Sequence, residues 1–156
     1  MRTLAEIEGR LDDLARTSVT GSLHGTGLPS PSPDVSAGEL LSVGEDVLAH
    51  WLAARGLEPT REKREGFRLL ALHRQGATGE PSFNACRETC RELVYHYNLL
   101  TMDPQHEDTP RRLRMMALVA NHLRLFVVGK MQVAGLGAFC CSSRPVREAA
   151  ARGDQA

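Results

Sequence analysis

Cysteine and histidine are the side chains of this 156-residue chain best suited to chemistry, and their spacing limits what that chemistry can be. Cys86 and Cys90 stand four residues apart, so on a helix their sulfurs face one way, one turn apart. That spacing suits a soft metal ion or a dithiol. Cys140 and Cys141 are adjacent and cannot easily share a face. The helix that carries Cys86 and the one after it are joined by a short connection, which predicts antiparallel neighbours. Counting levels along that pair sets Cys86 opposite the region of Leu125, with His122 close by, and Cys140 about 22 Å further on at ~1.5 Å per residue. A single four-thiolate site within one subunit is therefore disfavoured. The candidate cluster is Cys86, Cys90 and His122, which would hold a zinc or copper ion or act as an oxidant-sensing dithiol. Against it stands the tendency of cysteine to be a core residue, and both thiols lie on the apolar stripe of their helix. Burial as ordinary core side chains, with no cofactor, is the stronger reading.

A second polar group is Glu88, Glu92 and His96, spaced by four, with Tyr97 beside them. It lacks the Glu-x-x-His spacing of di-iron bundles. His96 and His122 fall about seven residues apart in level, roughly 10 Å, too far to share an ion. A small ligand or cofactor could still sit around His96 and Tyr97, though a solvated or hydrogen-bonded helix face explains the row better. Arg111, Arg112 and Arg114 crowd the start of the longest helix, where positive charge opposes the dipole. Glu107 and Asp108 can offset them. Arginines 61, 64, 68 and 74, with Lys63, alternate with glutamates and read as an exposed face of paired charges. No strained nucleophile elbow, acid pair or histidine triad is present, so the sequence gives catalysis no support.

These residues must be positioned by helices, because no strand pattern, phosphate loop or internal repeat occurs. Leu4, Ile7, Leu11 and Leu14 form a two-heptad stripe, a candidate interface too short to stand as a coiled coil alone. A Ser-, Gly- and Pro-rich stretch follows, which cannot repay the entropy of ordering. Helical periodicity resumes from Ser36 to a glycine stop at Gly56. It returns after Pro59 as far as Gly76, and again from Pro81 to Asp103-Pro104. The last segment, from Pro110 to Cys141, is apolar on nearly every side, which predicts a helix buried in a bundle or between subunits. The organisation expected is an N-terminal amphipathic helix over 1–17, a flexible linker over 18–34, a helical domain over 35–143 and a short frayed tail over 144–156. The fold class is all-α: a bundle of four main helices with a long buried helix in its C-terminal half, plus a tethered N-terminal amphipathic helix.

Lys+Arg and Asp+Glu balance at 19 each, so the chain has no net attraction for nucleic acid or an anionic membrane. No clean run of about eighteen apolar residues is available for a span. The N-terminus lacks the apolar segment of a signal peptide, so a cytoplasmic protein with reduced thiols is expected. Aromatic residues make up only 4% of the chain, so the core must be built from Leu, Val, Ala and Met. The function expected is that of a small accessory or regulatory protein acting on a protein partner, as a homo-oligomer. The soft-metal or thiol-sensing bundle is the alternative, and the ligand site around His96 and Tyr97 ranks third.

Overall fold

The structure, a computed structural model, describes residues 1–20, 31–78 and 86–136. Five helices follow one another: α1 Leu4–Thr20, α2 Pro33–Ala54, α3 Arg68–Gly76, α4 Arg87–Met102 and α5 Thr109–Val133. The described chain is all-α. Cys140, Cys141, the tail over 144–156 and the expected helix start at Pro81 lie outside the described residues.

The N-terminal helix is part of the core and not a separate arm. Thr3 and Glu6 form a capping box: the Glu6 amide donates to Thr3 Oγ1 at 3.2 Å, and the Thr3 amide donates to Glu6 Oε2 at 2.6 Å. From this start Ile7, Leu11 and Leu14 are buried and Leu4 half-buried against the shared core, with α1 packed on α2 and α5. Ion pairs run along both flanks. Arg2 meets Asp46 at 2.9 Å, Arg10 grips Glu39, and Glu8 reaches Arg124 at 3.3 Å. The stripe expected to be an interface is therefore spent within the chain. α1 also runs to Thr20 and α2 begins at Pro33, so the segment between helices is shorter than the linker expected over 18–34.

α2 is the helix that touches all the others. Leu40, Val43, Val47, Leu48, Trp51 and Leu52 are buried along it, and Gly44 marks its closest approach to the rest. A Cβ at Gly44 would lie 3.1 Å from Leu93 Cδ1 and 3.2 Å from Leu69 Cδ1, so glycine permits α2 to pass this near α3 and α4. The helix ends in a Schellman motif at Gly56 (φ 73°), with Leu57 N–H donating to Leu52 O at 2.9 Å.

The segment after Pro59 is not yet helical. Arg64 and Phe67 exchange backbone hydrogen bonds of 3.0 and 2.9 Å across a tight turn whose central residues, Glu65 and Gly66, both have positive φ. That turn delays α3 to Arg68. Side chains of α3 hold the preceding loop: Gln75 bonds Thr60 N and Glu58 O, and Arg68 donates to Thr60 O.

α5 is buried on one side, through Met116, Val119, Ala120, Leu123, Val127 and Met131. Its outer side is not covered: Leu118 is 64% exposed and Leu125 55%, with Met115 beside them. The expectation of burial all round thus fails for this subunit, because a helix packed on α1, α2 and α4 still has one open face. No helix among the described residues is long and apolar enough to cross a membrane.

Candidate functional site

Sequence periodicity brings Cys86 and Cys90 onto the inner side of α4, and the fold supplies a histidine from α3. Cys86 is the N-cap of α4 and Cys90 lies one turn inside it. Their side chains are 2% and 0% exposed. Leu69, Leu72 and His73 share the buried stripe of α3, which packs on α4, and this brings His73 to the Cys86 thiol.

The electrostatics of this group are asymmetric. Hydrogen bonding from the Cys90 thiol, with a smaller hydrogen-bonding and electrostatic contribution from His73, stabilises the Cys86 thiolate and pulls its pKa down to about 6. Burial works in the opposite direction and is outweighed. Cys90 is pushed far up, because its proton is held by the neighbouring sulfur and its own thiolate would be buried beside a second one. One thiol of the pair is thus an acid that ionises near neutrality, and the other is its donor. A low-pKa thiolate next to a protonated partner thiol can act as a nucleophile or take up oxidising equivalents.

His122, the histidine expected to join the thiols, does not meet them. It lies on the exposed side of α5, whereas both sulfurs are interior. Level counting fixes height along a helix but not azimuth, and here the azimuth differs. Among the described residues no group of three or more His, Cys, Asp or Glu is placed to hold a metal ion. His73 was missed by sequence reasoning. The signal available was its position four residues after Leu69, which puts an imidazole on a core-facing stripe.

His96 and Tyr97 point to different environments. Tyr97 packs edge-on to Phe67, with ring centroids 5.7 Å apart at 84°, and belongs to the margin of the core. The His96 side chain is largely buried, its Nε2 3.8 Å from Glu92 Oε1, and its Nδ1 has no hydrogen-bond partner among the described residues. Among the described residues, His96 thus turns towards Glu92 and Tyr97 towards Phe67.

The exposed surface of α5 is the other functional candidate. Met115, Leu118, His122 and Leu125 recur at three and four residues along one face. Leu118 also borders a groove of about 210 Å³ between α1 and α5, together with Leu11, Asp12, Ala15 and Arg114. Asp12 and Arg114 form no ion pair within the described residues.

No protein-family model matches the chain, and no curated protein or solved structure is significantly similar to it.

Proposed function

We propose that the protein is a small cytosolic accessory or regulatory protein that works by protein–protein contact, and that its first partner is a second copy of itself. The observation that carries this reading is the open face of α5. Three large apolar side chains at heptad-like spacing are solvated there, next to an apolar groove. The groove contains one acid and one base, Asp12 and Arg114, neither engaged within the described residues. Under a two-fold axis each would meet its opposite on the second copy, as an isologous contact requires. Leu118 is 64% and Leu125 55% exposed, so burying them in such an interface would contribute about 1–2 kcal/mol per side chain.

The test is the mass of the protein in solution, measured by sedimentation equilibrium over a range of concentrations. The wild-type chain should be dimeric, and Leu118→Glu should be a folded monomer. Asp12→Arg alone should weaken association, and adding Arg114→Asp to it should restore it. A wild-type chain that stays monomeric at high concentration refutes the reading.

A second reading is favoured by the depressed Cys86 thiol: a dithiol oxidant sensor with His73 in the place expected for His122. In that chemistry the Cys86 thiolate attacks a hydroperoxide, forming an S–O bond and releasing water or an alcohol. Cys90 then displaces the hydroxyl of the sulfenic acid, forming the disulfide and releasing water. The four-residue spacing sets the two Cα atoms about 6 Å apart, inside the range a disulfide spans. Helical Cβ atoms about 5–6 Å apart must close to about 4 Å, so the first turn of α4 has to open as the bond forms. Peptide mapping after hydrogen peroxide treatment should find Cys86 joined to Cys90. Cys86 recovered only as sulfinic acid, or unmodified, refutes this reading.

A further inference from the structure

Beside the thiols, but opening outward, is a cleft of about 260 Å³ between α3, the turn before it and the start of α4. Its polar walls are Arg64, Arg74, Arg87, Arg91 and His73, over apolar Leu70. These cations come from three separate segments: the Glu65-Gly66 turn, the last turn of α3 and the first two turns of α4. Drawing four guanidinium groups around one small concavity is unfavourable unless negative charge is returned to it. The described residues return little. Glu65 reaches Arg91, with contacts of 3.2 and 3.4 Å, and stands 3.9 Å from Arg64. Arg74 and Arg87 have no ion-pair partner among the described residues.

Two further features support an anion at this place. α4 begins at Arg87, and its N-cap residue, Cys86, makes no side-chain capping bond. Arg87 and Arg91, which line the cleft, stand in the first two turns of α4, where the positive end of the helix dipole adds to their charge. Glu65 also holds a positive φ of 52°, an uncommon conformation for a non-glycine residue. The turn therefore holds the Glu65 carboxylate against Arg91 and near Arg64, and leaves Arg74 and Arg87 open.

We infer that this cleft is a binding site for a small phosphorylated ligand, held by Arg74 and Arg87 with Arg64 and Arg91 at its edge. The planar guanidinium fork matches two oxygens of a phosphoryl group, which favours phosphate or diphosphate over a simple carboxylate. The volume suits one or two phosphoryl groups with a small organic part, below the usual range for larger ligands. Its concave shape and the chain's zero net charge argue against an extended nucleic-acid track. The inference is independent of association through α5. His73 lines this cleft and also touches Cys86, so a bound dianion would lie near the thiol pair and oppose its ionisation.

The experiment is isothermal calorimetry of the full chain with inorganic pyrophosphate at low and moderate salt. One saturable site per chain is expected, weaker as salt rises. The exposed positions of Arg74 and Arg87 make Arg74→Ala/Arg87→Ala a variant that keeps the fold, checked by its melting curve. It should bind at least ~10-fold more weakly, from the loss of two charge-assisted contacts. Arg111→Ala, outside the cleft, should bind as the wild type does. Glu65→Gln should bind more tightly, because Arg91 is released from its carboxylate. Any of three results overturns the inference: no saturable heat, binding unchanged in the double arginine variant, or binding to an oligonucleotide or phosphatidylserine vesicles without binding to pyrophosphate.

Discussion

The ionisation of Cys86 can be measured directly, and its size follows from the contacts described above. With its pKa drawn down to about 6, Cys86 is about 90% thiolate at pH 7, against about 3% for an ordinary thiol near 8.5. That is roughly a 30-fold gain in thiolate. Nucleophilicity falls with basicity, and a Brønsted slope of about 0.4–0.5 over 2.5 pH units removes about 13-fold of it. The net advantage in rate is only about twofold, and burial at 2% exposure slows both forms. The rate at one pH is therefore a poor test, and the midpoint of the pH–rate profile is the decisive one. Arg87 lies between the two cysteines, so trypsin separates them onto different peptides and each alkylation can be followed by mass spectrometry. Cys86 should titrate with a midpoint near 6, while Cys90, pushed up by the neighbouring sulfur and by burial, should stay protonated throughout that transition. Cys90→Ala removes the largest stabilising contact and should raise the Cys86 midpoint by about 1 to 2 pH units, the equivalent of a hydrogen bond to a charged group. Cys90→Ser keeps a donor and should leave it low. The sign carries over to stability. A group whose ionisation is made easier by folding contributes stability that is present above its unfolded pKa and lost as pH falls through about 6. The wild-type chain should thus gain stability from about pH 6 to 8.5, and Cys90→Ala should flatten that rise. A Cys86 midpoint near 8.5, or the same midpoint in wild type and Cys90→Ala, would refute the reasoning.

Two further predictions concern the packing. Leu11→Ala empties a buried site between α1 and the rest of the core, and should cost about 2–5 kcal/mol, read as a lower Tm. An unchanged Tm would mean that α1 does not belong to the core. At Gly44, alanine should be nearly neutral, since up to ~1 kcal/mol of helix propensity offsets its close approach to two movable leucine methyl groups. Gly44→Val adds bulk with no room to accept it and should destabilise by about 1–3 kcal/mol, measured by urea denaturation. Equal stabilities for the two variants would contradict the close crossing of α2.

Local pattern determined the helices, and long-range packing determined what they do. The apolar stripes of α1, α2 and α4 were legible because a 3.6-residue period needs no knowledge of partners. The stops at Gly56 and Asp103-Pro104 and the proline start of α5 depend on backbone restrictions of single residues, so they too were written locally. The Glu65-Gly66 turn was harder, because glutamate has no intrinsic preference for positive φ, and the surrounding helical composition concealed it. The same stripe on α1 could serve an outside partner or the chain's own core, and only the positions of α2 and α5 chose the core. Likewise α5 is apolar in nearly every direction, and its one solvated face is defined by where α1, α2 and α4 leave it uncovered. The site shows the division most clearly. A four-residue interval fixed Cys86 and Cys90 on one side of a helix, but which histidine completes the group depends on the rotation of a neighbouring helix about its axis. Burial of Leu69 and Leu72 turns His73 of α3 inward, and burial of Leu123 on α5 leaves its neighbour His122 in solvent.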